Sequence, residues 1–148
     1  VHDFGSRENN DINDLINASR IINWGKDFSR SSVHTAALVK RARKNGTRVL
    51  TISPGGDGNH TYSDGHIRIR PGTDRFLAAA VLQLLIQNAV IEQNTLSTTR
   101  APEKFLALIE AQPMGTLLAA CDVSEADLQQ IYACYAQKDP VATLISAG

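Results

Sequence analysis

Three short segments of the chain concentrate glycine, serine and aspartate, the residue types that suit a phosphate or nucleoside ligand. They are residues 25–32 (GKDFSRSS), 53–65 (SPGGDGNHTYSDG) and 70–74 (RPGTD). Glycine lets a ligand approach the backbone, and a carboxylate accepts hydrogen bonds from sugar hydroxyls or from the N–H groups of a base. Each segment also has a simpler explanation as a turn between two elements.

The first segment places Gly25 directly after an apolar run of strand type, residues 20–24, and ahead of a predicted helix. The free N–H groups and the positive dipole end of a helix form an anion site, and Gly25 would admit a phosphate to it. The alternative is an ordinary strand-to-helix turn in which Ser31 or Ser32 caps the helix.

Ser53 begins the second segment, directly after another strand-like run. A polar side chain at such a position commonly contacts the ribose of a nucleotide, although aspartate or glutamate does so better because it accepts from two hydroxyls. The alternative is that residues 53–58 (SPGGDG) form only a turn, since proline, glycine and aspartate are all turn formers.

The third segment joins a predicted strand to a long apolar helix through a Pro-Gly turn and the carboxylate of Asp74. Thr73 or Asp74 can cap this helix. A carboxylate at this place also suits guanine, which presents N1–H and its 2-amino group side by side, so that one carboxylate accepts both. The two roles are compatible if Thr73 caps the helix while Asp74 faces a base.

The loops carry no Ser/His/Asp set, no paired carboxylates and no cluster with metal-ligand spacing, and their histidines are scattered. Cys121 and Cys134 stand thirteen residues apart in a helical region and are interpreted as small core residues. We therefore expect a domain that binds a ligand rather than one that performs chemistry alone.

Strand-like and helix-like runs alternate along the chain with short connections. This pattern predicts an α/β fold, a Rossmann-like, doubly wound and mainly parallel sheet with flanking helices, plus a helical segment around 102–137. Such sheets bind ligands beyond the carboxyl ends of their strands, where the three segments fall. The predicted helices cover 11–19, 33–46 and 74–88, the strands 20–24, 47–53 and 66–70, and 93–101 is an internal linker before a final strand-like run (VATLISAG).

Length and charge limit the classes of partner. The 148 residues fit one domain, 1–148, with a flexible start at 1–10. Fifteen basic and fifteen acidic residues balance, and no apolar run is long enough to span a bilayer, so we expect no nucleic-acid or membrane contact. The chain starts at Val1 and ends on the strand-like TLISAG, so we expect an excerpt from a longer protein.

In their order, the stretches ASRIINWGKDFSRSSVH, ARKNGTRVLTISP and SDGHIRIRPGTDRFLAAAVLQLLI resemble the molybdopterin oxidoreductases of the dimethyl sulfoxide reductase superfamily. Formate dehydrogenases and nitrate reductases belong to this superfamily. The resemblance covers roughly residues 14–92, and the Arg-Pro-Gly-Thr-Asp element is its most specific part. It implies one of two dinucleotide-binding-like domains that hold a bis(molybdopterin guanine dinucleotide) cofactor, with molybdenum or tungsten carried by the intact enzyme.

The resemblance also implies roles for individual residues. By position, Gly25 and Asp27 would lie against the diphosphate, and Ser53 with Pro54 at the ribose or guanosine. The full set of implied cofactor contacts is Gly25, Asp27, Ser29, Ser53, Pro54, Pro71, Gly72 and Asp74.

Within this set, Gly72 and Asp74 would hold the guanine, and their Pro-Gly-Thr-Asp element follows the family pattern throughout. The other two loops depart from that pattern. Asp27 stands where asparagine is usual, Ser53 replaces the usual aspartate, and Gly55 replaces an arginine that often follows the proline.

The resemblance further implies that the other domains of a parent enzyme are the partners of this one. Any iron–sulfur cluster and the residue that ligates the metal would lie outside this stretch, and the isolated domain would be inactive. The N-terminus lacks a signal-peptide pattern, which slightly favours the cytoplasm, while a periplasmic parent enzyme stays open.

Two other interpretations fit parts of the chain. The run FSRSSVHTAALVKRARKNGTRVLTIS matches the outline of a sugar-phosphate-binding module of the sugar isomerase type, although that class's Ser-Gly-Glu-Thr type of loop is missing. A structural or interaction domain built on a doubly wound sheet is the third possibility.

Overall fold

A computed structural model describes residues 11–91 and 93–145. Four strands form one parallel sheet in the order β3-β2-β1-β4. The strands are β1 (Arg20–Trp24), β2 (Arg48–Ser53), β3 (Gly65–Arg68) and β4 (Val141–Ile145). The helices are α1 (Phe28–Ser31), α2 (Val33–Lys44), α3 (Asp74–Gln87), α4 (Gln93–Thr98), α5 (Pro102–Glu110), α6 (Met114–Cys121) and α7 (Glu125–Tyr135), with 3-10 helices at Ile12–Asn17 and Asn59–Thr61.

The register brings the carboxyl ends of the strands to one edge of the sheet. In the central pair Arg20 lies beside Arg48 and Trp24 beside Ile52. On the other side of β1, Trp24 lies beside Ile145 of β4. The predicted parallel sheet is confirmed, and the loops after β1, β2 and β3 all leave from the same edge.

Alternate side chains of the strands enter two separate cores, which is the pattern of a sheet covered on both faces. On one face, Ile22 and Ile52 pack among the buried residues of α3, α6 and α7. On the other, Ile21 and Val49 pack with the buried residues of α2 and the first 3-10 helix. This arrangement confirms the doubly wound interpretation. Both cysteines are buried, as predicted, and desolvation raises the pKa of each thiol.

The long apolar helix α3 is buried on several sides because α5, α6 and α7 of the same chain pack around it together with the sheet. Its one buried polar side chain, Gln83, donates from Nε2 to three carbonyl oxygens at the end of α5 and just beyond it. These belong to Ile109, Glu110 and Gln112, at 3.2, 3.2 and 2.9 Å. The amide thus bonds carbonyls at the end of α5, where a helix lacks intrahelical donors.

Several local predictions differ from the structure. The first helix is 3-10 rather than α, and Asp11 caps it. Neither Ser31 nor Ser32 caps α2 with its side chain, because Ser31 Oγ donates to the carbonyl of Asp27 and Ser32 Oγ bonds Thr35. The predicted linker at 93–101 contains α4.

The flexible start predicted for 1–10 lies outside the described residues. Within the described part of the chain, no helix combines the length and apolarity needed to cross a membrane.

An ion pair fixes the turn that leads into β3. Asp64 Oδ2 accepts from the backbone N–H of Val49 at 2.8 Å, and its Oδ1 lies 2.8 Å from Arg43 Nη2. Desolvation raises the pKa of Asp64, but the bonds from Val49 and Arg43 outweigh it and lower the pKa below its ordinary value of 3.8. The turn is therefore tied both to β2 and to the last turn of α2.

We predict that Asp64→Asn lowers the free energy of unfolding by about 1 kcal/mol at pH 7, since a partly exposed ion pair contributes modestly. A carboxyl whose pKa is lowered by folding stabilises the protein above its unfolded pKa, and this contribution disappears as the pH falls through the folded pKa. The difference between the variant and the wild type should therefore shrink below about pH 4. Urea unfolding at pH 7 and pH 3 measures it, with Asp139→Asn as an exposed control. An equal difference at both pH values would contradict the assignment.

Candidate functional site

The three loops predicted to bind a ligand meet at the carboxyl edge of the sheet. The N–H of Gly25 donates to the carbonyl of Ile52 at 2.9 Å, which joins the first loop to the end of β2. The N–H of Ile69 donates to the carbonyl of Ser53 at 3.1 Å, which joins the third loop to the same strand end. Backbone hydrogen bonds therefore hold the predicted site together.

In the first loop, Asp27 caps α1. Its Oδ1 accepts from the N–H groups of Ser29 and Arg30 at 3.0 and 3.2 Å and from Ser29 Oγ at 2.7 Å. The hydroxyl of Ser29 is the main cause of a lowered pKa at Asp27. The N-terminal N–H groups of α1, a helix that was not predicted, are thus occupied by the chain's own carboxylate, whereas α2, where the anion site was predicted, receives no side-chain cap.

Two buried asparagines, both 0% exposed, shape this loop. Asn23 Nδ2 and Asn59 Nδ2 donate to the carbonyl of Lys26 at 2.9 and 2.8 Å. Asn59 Oδ1 accepts from the N–H of Phe28 at 2.9 Å, so one side chain satisfies both backbone groups. Sequence reasoning missed both residues, although an asparagine inside the apolar run RIINW was a visible signal for a buried polar role.

The first two loops also touch directly, because Gly58 lies against Ser29. A Cβ added at residue 58 would stand 2.1 Å from Ser29 Oγ. Arg30 Nη1 donates to the carbonyl of Gly56 at 3.2 Å across the same contact. The spacing of the two loops therefore depends on the missing side chain at residue 58.

In the second loop, Ser53 and two residues that were not predicted come together. Ser53 Oγ donates to Asp57 Oδ2 at 2.5 Å, and Asp57 Oδ1 lies 3.6 Å from His66 Nε2. The sequence did not show this cluster, because the fold assembles it from the second loop and β3. Its order is not that of a nucleophilic triad, since the aspartate stands between the serine and the histidine, so the hydroxyl faces a carboxylate rather than an imidazole.

In the third loop, Thr73 occupies the N-cap position of α3 but does not cap it with its side chain. Its hydroxyl donates instead to the carbonyl of Arg70 at 2.6 Å, and the N–H of Arg70 donates to the carbonyl of Cys121 at 3.0 Å. The predicted Thr73 cap is therefore wrong, and the hydroxyl closes the turn. Asp74 follows in the first turn of α3, exposed and without a hydrogen-bond or ion-pair partner among the described residues.

Asp74 borders a mainly apolar groove of about 430 Å³ between α3 and β4. Trp24, at the end of β1, borders the same groove, and its Nε1 donates to Tyr135 Oη at 3.2 Å. Asp27, Ser29 and Ser53 instead lie with the loops on the α2 side of the sheet. The groove is completed by Arg75, Ala78, Val81, Leu82, Leu85, Tyr135, Thr143 and Ile145.

We predict that Asn59→Ala destabilises the chain by about 2 kcal/mol, because a buried donor left without a partner costs about 1–3 kcal/mol. The N–H of Phe28 should also lose its protection from hydrogen exchange, since Asn59 Oδ1 is its acceptor. Exchange measured by NMR tests both effects, and Asn17→Ala at an exposed position is the matched control. Unchanged protection at Phe28 would contradict the role given to Asn59.

Comparison with known proteins identifies the family of the chain. The family model described as "Molybdopterin oxidoreductase" matches residues 4–135. A probable oxidoreductase, YyaE, of Bacillus subtilis (strain 168) is 25% identical over 147 residues, covering 99% of this chain and 22% of that protein. A putative catalytic chain of dimethyl sulfoxide reductase from Halobacterium salinarum is 32% identical over 117 residues, covering 78% of this chain and 13% of that protein.

Among solved structures, acetylene hydratase from Pelobacter acetylenicus superimposes with a TM-score of 0.77 at 13% identity. The match covers 91% of this chain and 20% of the hydratase, and at this identity it shows the fold alone. The chain thus spans about a fifth or less of these proteins. Since the family model covers most of the chain, through the end of α7, the chain belongs to the molybdopterin oxidoreductase family.

Proposed function

We propose that this chain binds the guanine dinucleotide part of a molybdopterin guanine dinucleotide cofactor, as one domain of a larger molybdenum or tungsten oxidoreductase. The observation that carries the proposal is the unpartnered carboxylate of Asp74 at the rim of the apolar groove. A carboxylate without a partner among the described residues is available to a ligand, and the groove provides a surface for an aromatic base.

The groove offers the two contacts that a guanine requires. Asp74 can accept from N1–H and from the 2-amino group together, which adenine cannot donate. Trp24 presents an aromatic ring at the same groove, and its N–H is already bonded to Tyr135, so the ring is held in place. Recognition would therefore combine one charged pair with apolar contact.

The backbone at the carboxyl edge leaves room for the phosphate groups of a nucleotide. Gly25 and Gly72 both have a positive φ, +73° and +72°, and apart from their chain neighbours no described residue has an atom within 4 Å of either Cβ position. A ligand can therefore approach the main chain after β1 and before α3 without meeting a side chain. Asp27 adds a charge beside this path, but hydrogen bonds from Ser29 and Arg30 occupy its Oδ1.

When bound, the cofactor supplies a metal centre that exchanges electrons with substrate. This chain's part is to hold the nucleotide end, and the metal ligand, any iron–sulfur cluster and the substrate pocket belong to the other domains of the parent enzyme. The isolated chain should therefore bind guanine nucleotides weakly and turn over no substrate.

We predict that Asp74→Asn weakens GDP binding about tenfold, because loss of a bidentate carboxylate contact costs about 1–3 kcal/mol of discrimination. The wild type should also prefer GDP over IDP, which lacks the 2-amino group, and the variant should lose this preference. Titration followed by backbone NMR, with signals at Gly25, Gly72 and Asp74, measures both affinities, with Asp139→Asn as control.

The unfolding free energy separates the two roles of Asp74. A variant that binds GDP normally but unfolds more easily would make Asp74 a helix cap. Wild-type signals that stay unperturbed at millimolar GDP would overturn the proposed function, and preferential shifts with fructose 6-phosphate would favour a sugar-phosphate module instead.

A further inference from the structure

The cluster of Ser53, Asp57 and His66 at the end of β2 has no part in the guanine contacts described above. Ser53 is 3% exposed, and its hydroxyl hydrogen is committed to Asp57 Oδ2. The side chain of Asp57 is 14% exposed and that of His66 36% exposed. The cluster thus runs from a buried strand end outward to the surface, with the carboxylate in the middle.

In dinucleotide-binding α/β folds, an acidic side chain near the end of the second strand accepts from the ribose hydroxyls. The corresponding strand-end residue here is Ser53, whose hydroxyl oxygen has two acceptor positions, and the N–H of Gly55 already occupies one of them at 3.3 Å. Ser53 therefore cannot accept from both hydroxyls of a ribose. The loop after it turns back at Gly55 and Gly56, both with positive φ, and returns the carboxylate of Asp57 to the end of β2. A carboxylate therefore stands at the strand end although the strand itself ends in serine.

We propose that Asp57 is the ribose-binding carboxylate of this nucleotide site and that Ser53 is a positioning residue that holds it. This inference rests on the proposed function. It adds a residue that the family resemblance by position does not supply, since position assigns the ribose to Ser53 and Pro54.

The hydrogen-bonding capacity of Asp57 matches a vicinal diol. A carboxylate has about four acceptor positions, two on each oxygen. Ser53 Oγ occupies one on Oδ2, and the N–H of Asn59, 3.0 Å from Oδ1, occupies one on that atom. His66 Nε2, at 3.6 Å, is beyond hydrogen-bond distance. Among the described residues, nothing else bonds Asp57, so one position on each oxygen stays available, and a ribose offers two adjacent donors.

The competing role for Asp57 is that of a loop brace, since it already bonds Ser53 and Asn59. The two roles differ in what they predict for a ligand without the diol. If Asp57 only braces the loop, substituting it changes the affinities for GDP and for 2′,3′-dideoxy-GDP equally. If Asp57 contacts the ribose, the substitution changes the affinity for GDP alone.

The test measures the affinities of the full chain for both nucleotides by NMR titration. We expect the wild type to prefer GDP about tenfold, from two hydrogen bonds to a charged acceptor. Asp57→Asn should bring this ratio close to one while the affinity for dideoxy-GDP stays within about twofold. Ser53→Ala should lower the ratio partly, Asp139→Asn should leave it unchanged, and Asp74→Asn should weaken both nucleotides equally.

Each other result overturns the inference in a recognisable way. If the wild type binds GDP but Asp57→Asn keeps the ratio, or weakens both nucleotides equally, Asp57 is only a brace and the proposed function stands. If the wild type binds neither nucleotide, the proposed function fails and this inference fails with it.

Discussion

The geometry of the site depends on one carbonyl oxygen, that of Lys26, which accepts from two fully buried asparagine side chains. Asn23 belongs to the end of β1, and Asn59 belongs to the loop after β2. A buried carbonyl with two amide partners leaves the first loop little conformational freedom. Asn59 also accepts from the N–H of Phe28 and donates its own N–H to Asp57, so its bond to Lys26 positions the second loop as well. The two loops therefore behave as one rigid unit on the sheet edge.

Two aspartates at helix starts differ in whether the chain itself supplies hydrogen-bond partners for their carboxylates. Asp27 is enclosed by the N–H groups of its own short helix and by the hydroxyl of Ser29. Asp74, in the first turn of α3, has no such partner within the part of the chain that the structure describes, and the hydroxyl of the preceding Thr73 bonds the carbonyl of Arg70. The first carboxylate stabilises a turn, and the second stays exposed at the rim of the groove.

The sequence was sufficient for the parallel sheet, the three loops and most helix positions, since these follow from local periodicity and from turn residues. It was insufficient for contacts between residues distant in the chain. Asn59 bonds Lys26 across 33 positions, and His66 meets Asp57 only because β3 lies beside β2. Thr73 shows the same limit at short range, because a hydroxyl that can cap a helix can equally bond a preceding carbonyl.

The contact of Gly58 with Ser29 has a consequence for how the site can change over evolutionary time. Even a methyl group at residue 58 would force the two loops apart. Such a shift would change the spacing of the loops after β1 and β2 while leaving every other residue of the two loops unchanged. The width of the edge at which the candidate site lies thus depends on the absence of a Cβ atom at residue 58.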